Sequence, residues 1–200
     1  MKAAPFQIAV LLAGVLAGPP GWAQTSTGQG GAPPAATGRQ EQSTAMSGTA
    51  GHRGSEVATK QEFVRLAASN AMFEVEAAKL AQDRTRDERE RRFAQEMLDT
   101  HGKATEELRG LLQNTPSLRG MQLPGQLDPQ YQTWLSQLQA AQGDSFQSLY
   151  ALQQAEAHLI AIDLFRNYSQ VGDDEDLKRW AASRLPVLQQ HFEKARALKG

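Results

Sequence analysis

Four side chains carry most of the coordination chemistry open to this sequence: Glu74, His101, His158 and His191. The chain has no cysteine. Thiolate nucleophiles, disulfides, thiolate-ligated clusters and a cysteine lipid anchor are therefore excluded, leaving imidazole and carboxylate as ligands. Imidazole suits Zn, Cu, Fe and Ni. At ~100° per residue, helical periodicity places one of the four on the inward stripe, or its edge, of each of four helices. Glu74 is in register with Phe63, Ala67, Asn70, Ala77 and Ala81. His101 lies at the edge of a stripe through Phe93, Met97 and Ala104. Phe146, Tyr150, Gln154 and His158 form an i, i+4 ridge, and His191 sits between Leu188 and Ala195.

A carboxylate or imidazole is costly to bury unless it is paired or coordinated. One explanation serves all four: a metal or small-ligand site inside the molecule, supported by Asn70, Tyr150 and Gln154. The competing explanation is a hydrogen-bonded polar core that holds no ligand. Counting along the helices limits the first. Glu74 lies about 11 residues before the first interhelical turn and His101 about 15 after it, ~6 Å out of step. His158 and His191 are further out of step about Gly172. Two or three of the four are expected to meet, not all four.

The elements that must position these groups are helices, since β-branched residues are sparse and never alternate. "TKQE" (59–62) is a capping box that opens the first helix, and "TRDE" (85–88) is expected to open the second in the same way. "NTPSLRGMQLPGQLDP" is a Pro- and Gly-punctuated connection. Asp128-Pro129 reads as an N-cap with proline at N1, starting a short helix through Tyr131, Trp134, Leu135 and Leu138. Asp144 is expected to cap the third long helix. "DDED" (173–176) opens the fourth with acidic groups at the positive end of the helix dipole, and lacks the spacing of a calcium loop. Short connections make two antiparallel hairpins, and the long one crosses the bundle. The expectation is an all-α, ferritin-like four-helix bundle with a short extra helix in the crossover. Pro186 should kink the last helix near Ala182 and so turn His191 inward. The charged run "DRTRDERERR" reads as a solvated, ion-paired surface.

The ends of the chain carry an address. "MKAAPFQIAVLLAGVLAGPPGWAQ" has one early cation, an apolar run from Phe6 to Ala17, a Pro-Gly break and small residues at 21 and 23. This reads as a secretory signal peptide over 1–23. Residues 24–58, rich in Gly, Ser, Thr, Pro and Gln, read as a flexible tether, and 59–200 as the helical domain. Export across the inner membrane, to the periplasm of a Gram-negative cell, follows as an expectation. A net charge of −1 gives no electrostatic case for nucleic acid or an anionic membrane.

The stretches "FVRLAASNAMFEVEAAKLA", "FAQEMLDTH", "FQSLYALQQAEAH" and "LPVLQQHFEKA" resemble domain-of-unknown-function family 4142, bacterial and usually exported proteins assigned to the ferritin-like superfamily. The resemblance covers about residues 59–198 and takes in Glu74, His101, Phe146, Tyr150, His158, Leu185, Pro186 and His191. It departs at Thr100 and Gln147, where the family commonly has Asp. It implies fold and export, and no biochemical activity. A di-iron centre is disfavoured: such bundles use Glu-x-x-His pairs, and here Leu98 and Leu188 stand three residues before His101 and His191. No hydrolase or phosphate-loop motif is present. The leading expectation is a non-catalytic exported protein that binds a metal or small ligand. The alternative is an interaction module, for which Leu152 and Leu159 would supply an outward apolar face to a partner or second copy.

Overall fold

The computed structural model describes residues 59–198. The expected signal peptide and tether lie outside them. Five α-helices follow in order: α1 (Lys60–Arg84), α2 (Glu88–Asn114), α3 (Pro129–Ala140), α4 (Gly143–Val171) and α5 (Glu175–Ala197), with one 3-10 turn at Pro116–Leu118. No strand occurs among the described residues. None of these helices is long and apolar enough to cross a membrane.

Local chemistry sets most boundaries. Thr59 accepts from the Glu62 amide at the start of α1. The second helix is capped differently from the sequence expectation. Asp87, not Thr85, is its N-cap, accepting from the amides of Arg89 (2.7 Å) and Glu90 (3.1 Å). Thr85 instead closes α1, and its hydroxyl bonds the buried Glu90 carboxylate. Asp144 is also not a cap: α4 begins one residue earlier, at Gly143, whose φ of 53° favours glycine. Asp174 caps α5 by accepting from Asp176 and Leu177. Asp128 precedes Pro129 as expected, but its side chain pairs with Arg65 of α1 rather than capping α3.

The hairpins α1–α2 and α4–α5 pack side by side, with α1 against α4 and α2 against α5. The crossover spans the length of the bundle. At one end Lys60 donates to the Ser117 carbonyl, and Ser117 donates to Asp174. At the other, Arg84 donates to the carbonyls of Leu138, Gln139 and Ala141 and so satisfies the end of α3. Of the charged run, Glu90 is thus buried, and Arg84, though exposed, is tied to the end of α3. The core has two apolar clusters. One gathers Phe63, Leu108, Phe165, Tyr168 and Leu177, with Phe63 stacked on Tyr168 at 4.0 Å. The other gathers Phe73, Phe93, Met97, Phe146 and Tyr150. Each of those side chains contributes on the order of 1.5–3 kcal/mol by leaving water. Along α2, α4 and α5, the histidines fall between the residues of one cluster and those of the other.

Candidate metal centre

His101, His158 and His191 converge from α2, α4 and α5. Each offers a ring nitrogen, and these three atoms lie within 4.8 Å of one another. The ring centroids are 5.4 Å (His101–His158), 5.8 Å (His101–His191) and 5.4 Å (His158–His191) apart. All three rings are buried, His158 and His191 completely. The expected offset of His158 and His191 is corrected here. Measured from the end of the bundle where α1 and α5 begin, all four candidate residues lie about 13 to 16 residues in, a spread of ~4.5 Å. Side chains lean toward the N-terminus of their own helix. On antiparallel α4 and α5 that brings His158 and His191 toward each other, closing the remaining gap.

The orientation of His158 is fixed by its own helix. Its Nδ1 lies 2.8 Å from the Gln154 carbonyl, which can only accept, so Nδ1 carries the hydrogen and Nε2 is the bare acceptor. The Nε2 atoms of His101 and His158, and both nitrogens of His191, are buried without a hydrogen-bond partner. Glu74 is fully buried on α1 with Oε1 3.4 Å from His158 Nδ1, behind the ring rather than among the three imidazoles. Both its oxygens lack a hydrogen-bond partner, as do the Tyr150 hydroxyl and the Gln154 amide. Asn70 is occupied elsewhere. Its amide donates to Tyr131 Oη (3.0 Å) and to the Ala157 carbonyl (3.2 Å), tying α3 and α4 to α1.

Burial dominates the electrostatics. Loss of solvation holds His101 well below its usual value, reinforced by repulsion from the other two imidazoles. It pushes His158 down to about 3, against the opposing hydrogen bond that its Nδ1 donates to the Gln154 carbonyl. His191 is also lowered by burial, partly offset by Glu96. Burial drives Glu74 well above the ordinary carboxyl range and the Tyr150 phenol well above its own. At neutral pH the centre therefore holds three neutral imidazoles, beside a carboxyl group whose ionisation burial opposes.

Glu96 was not anticipated from the sequence. Its Oε1 lies 3.3 Å from His191 Nε2, and its carboxylate is held by Lys194 at 2.6 and 2.7 Å. The signal that could have found it is His191 and Lys194, three residues apart on α5, presenting two nitrogen groups to one side. Pro186 lies within α5, which continues through it. Ala181, Leu188 and Ala195 recur every seven residues and are all buried, and His191 falls on the same inward stripe. Both Pro186 and Ala182 are exposed, so water can satisfy the carbonyl that proline frees.

The model of the family described as Domain of unknown function (DUF4142) matches residues 43–198. The chain belongs to this family. The resemblance read from its four motifs is thereby upheld, and it brings to the DUF4142 chain no assigned activity. No curated protein and no solved structure matches it.

Proposed function

We propose that this DUF4142 protein is an exported, non-catalytic, ferritin-like bundle that holds one transition-metal ion through His101, His158 and His191. The observation that carries this reading is the set of three buried, neutral imidazoles from three helices, their ligand atoms within 4.8 Å and at least one ring nitrogen of each without a hydrogen-bond partner. Without an ion, those nitrogens are desolvated at a cost of about 1–3 kcal/mol each. Neutral imidazoles need shed no proton to bind, so protons do not compete at pH 7. Three nitrogen ligands with no thiolate favour zinc or copper. Nitrogens around a tetrahedral zinc stand roughly 3.4 Å apart, so binding would draw the rings together by about 1 Å. Glu74 behind His158 stands where a metal-bound histidine commonly finds a supporting carboxylate. Two hairpins joined by a long crossover support the ferritin-like assignment. The leader read over residues 1–23 supports export.

The test is equilibrium dialysis against Zn(II) and Cu(II), comparing the parent with a triple His101, His158 and His191→Ala variant. The reading expects about one ion per parent chain and none in a still-helical variant. A parent that retains neither metal refutes it.

A second reading has its own observation. Leu152 and Leu159, seven residues apart on α4, are 50% and 41% exposed. They give the outer face of α4 an apolar strip, as an interaction module would. Light scattering tests it, and a strict monomer at high concentration counts against self-association through this strip.

A further inference from the structure

We infer that the three-histidine centre keeps an open coordination position, and that this position takes a small exogenous ligand of two or three heavy atoms from an adjacent apolar cavity. The inference rests on the metal reading above and goes beyond it by giving the site a ligand class and a place to hold it. Among the described residues, three protein groups converge on the centre. Glu74 stands at the Nδ1 side of His158, and Glu96 is held by Lys194 at the flank of His191. Zinc and copper sites with three protein ligands leave a fourth position for water or another small molecule.

A cavity adjoins two of the three histidines. It has a volume of about 30 Å³ and is lined by both His101 and His191. A single water requires roughly 10–15 Å³ by the same measure, so there is room for more than one water-sized group. The rest of the wall is mostly apolar and comes from α1, α2, α4 and α5, including Ala71, Ala104 and Leu188. At its rim, Arg184 is paired with Glu107 at 3.0 Å, and Thr100 is half-buried. Among the described residues lining the cavity Arg184 is the one cation, and its pairing with Glu107 leaves it unavailable to hold an anion. A ligand in this cavity would be retained by its bond to the metal and by fit, which favours a compact, weakly hydrated molecule. Azide is a suitable probe of that class.

The experiment is an optical azide titration of the protein loaded with one Cu(II) per chain, alongside the metal-free protein and an Ala104→Leu variant. The parent should gain a saturable azide-to-copper charge-transfer band. Metal-free protein should show none. The Ala104→Leu variant should keep its copper and bind azide about tenfold more weakly or worse, because the added side chain fills the cavity. Ala71→Leu, on the α1 side of the cavity, replaces it if that variant fails to fold. Copper retained with no response to azide overturns the open position and leaves the three-histidine reading standing. Unchanged azide affinity in a folded, copper-loaded, cavity-filled variant overturns the assignment to this cavity. A parent that binds no copper or zinc at all refutes the metal reading, and this inference with it.

Discussion

Replacing Glu74 with glutamine is expected to stabilise the metal-free protein, by an amount that grows with pH. Glu74 is fully buried, and burial raises its pKa well above the 4.5 of a free carboxyl. Above about pH 4.5 the unfolded chain sheds this proton while the folded chain keeps it, so folding must take up a proton. Each pH unit then costs ~1.4 kcal/mol, for as long as the folded carboxyl stays protonated. The histidines act in the opposite sense. Their folded pKa values lie below 6.5, so the unfolded chain binds extra protons below that pH and stability falls with acid. For His158 the window runs from 6.5 down to about 3. Below pH 6.5 the lowered imidazoles make acid destabilising; above it their contribution is gone, and the Glu74 slope persists for as long as its folded carboxyl stays protonated. Glutamine keeps the shape of Glu74 and removes the proton uptake. Urea denaturation followed by circular dichroism at pH 5, 6, 7 and 8 should show the advantage of Glu74→Gln over the parent rising with pH, by up to ~1.4 kcal/mol per unit until the folded carboxyl ionises. An advantage that does not change with pH would mean that Glu74 is ionised in the folded protein, and would refute the picture of a dry, neutral carboxyl group.

Other substitutions test the scaffold. Asn70→Ala removes the ties to Tyr131 and Ala157 and should cost about 1–3 kcal/mol in denaturant titration while leaving metal stoichiometry unchanged; loss of the metal would make Asn70 part of the site. Gly172→Ala would place a Cβ 2.6 Å from the Tyr168 carbonyl oxygen and 2.7 Å from its ring. That ring is stacked on Phe63 and cannot easily yield, so the melting temperature should fall with a loss on the order of 1–3 kcal/mol; an unchanged melting point would contradict the tight approach. Pro186→Ala should raise stability by on the order of 1–3 kcal/mol, by restoring one helical hydrogen bond, without altering metal affinity. Weakened metal binding in that variant would show that proline, and not the regular stripe, sets the aim of His191.

The inward direction of the site residues was legible because burial follows helical period. Glu74, His101, Tyr150, Gln154, His158 and His191 share stripes with residues that can only be core, and all are buried. Their level along the bundle was harder to read. Counting from turns treats each side chain as sitting at its own Cα, whereas the lean toward the helix N-terminus shifts antiparallel partners in opposite directions and brought His158 to His191. Asn70 illustrates a second limit. Its inward register is correct, but the crossover helix reaches it first, and no periodicity in α1 can announce Tyr131 as its partner. Glu96 and Arg84 were missed for the opposite reason. Arg84 sits in a charged run that looks solvated and Glu96 on a polar position of α2, and only tertiary packing gives Glu96 to His191 and Lys194 and Arg84 to the carbonyls ending α3. Thr85 and Asp87 are both competent caps two residues apart, and the choice between them fell to Glu90, which engages the Thr85 hydroxyl.

X-ray absorption at the metal edge of the loaded protein tests the central claim most directly. The three-histidine account predicts an inner shell dominated by imidazole nitrogen at about 2.0–2.1 Å, with outer-shell imidazole scattering that fits three rings and collapses in the triple alanine variant. An inner shell of carboxylate and water oxygens, or a spectrum unchanged when His101, His158 and His191 are removed, would contradict it.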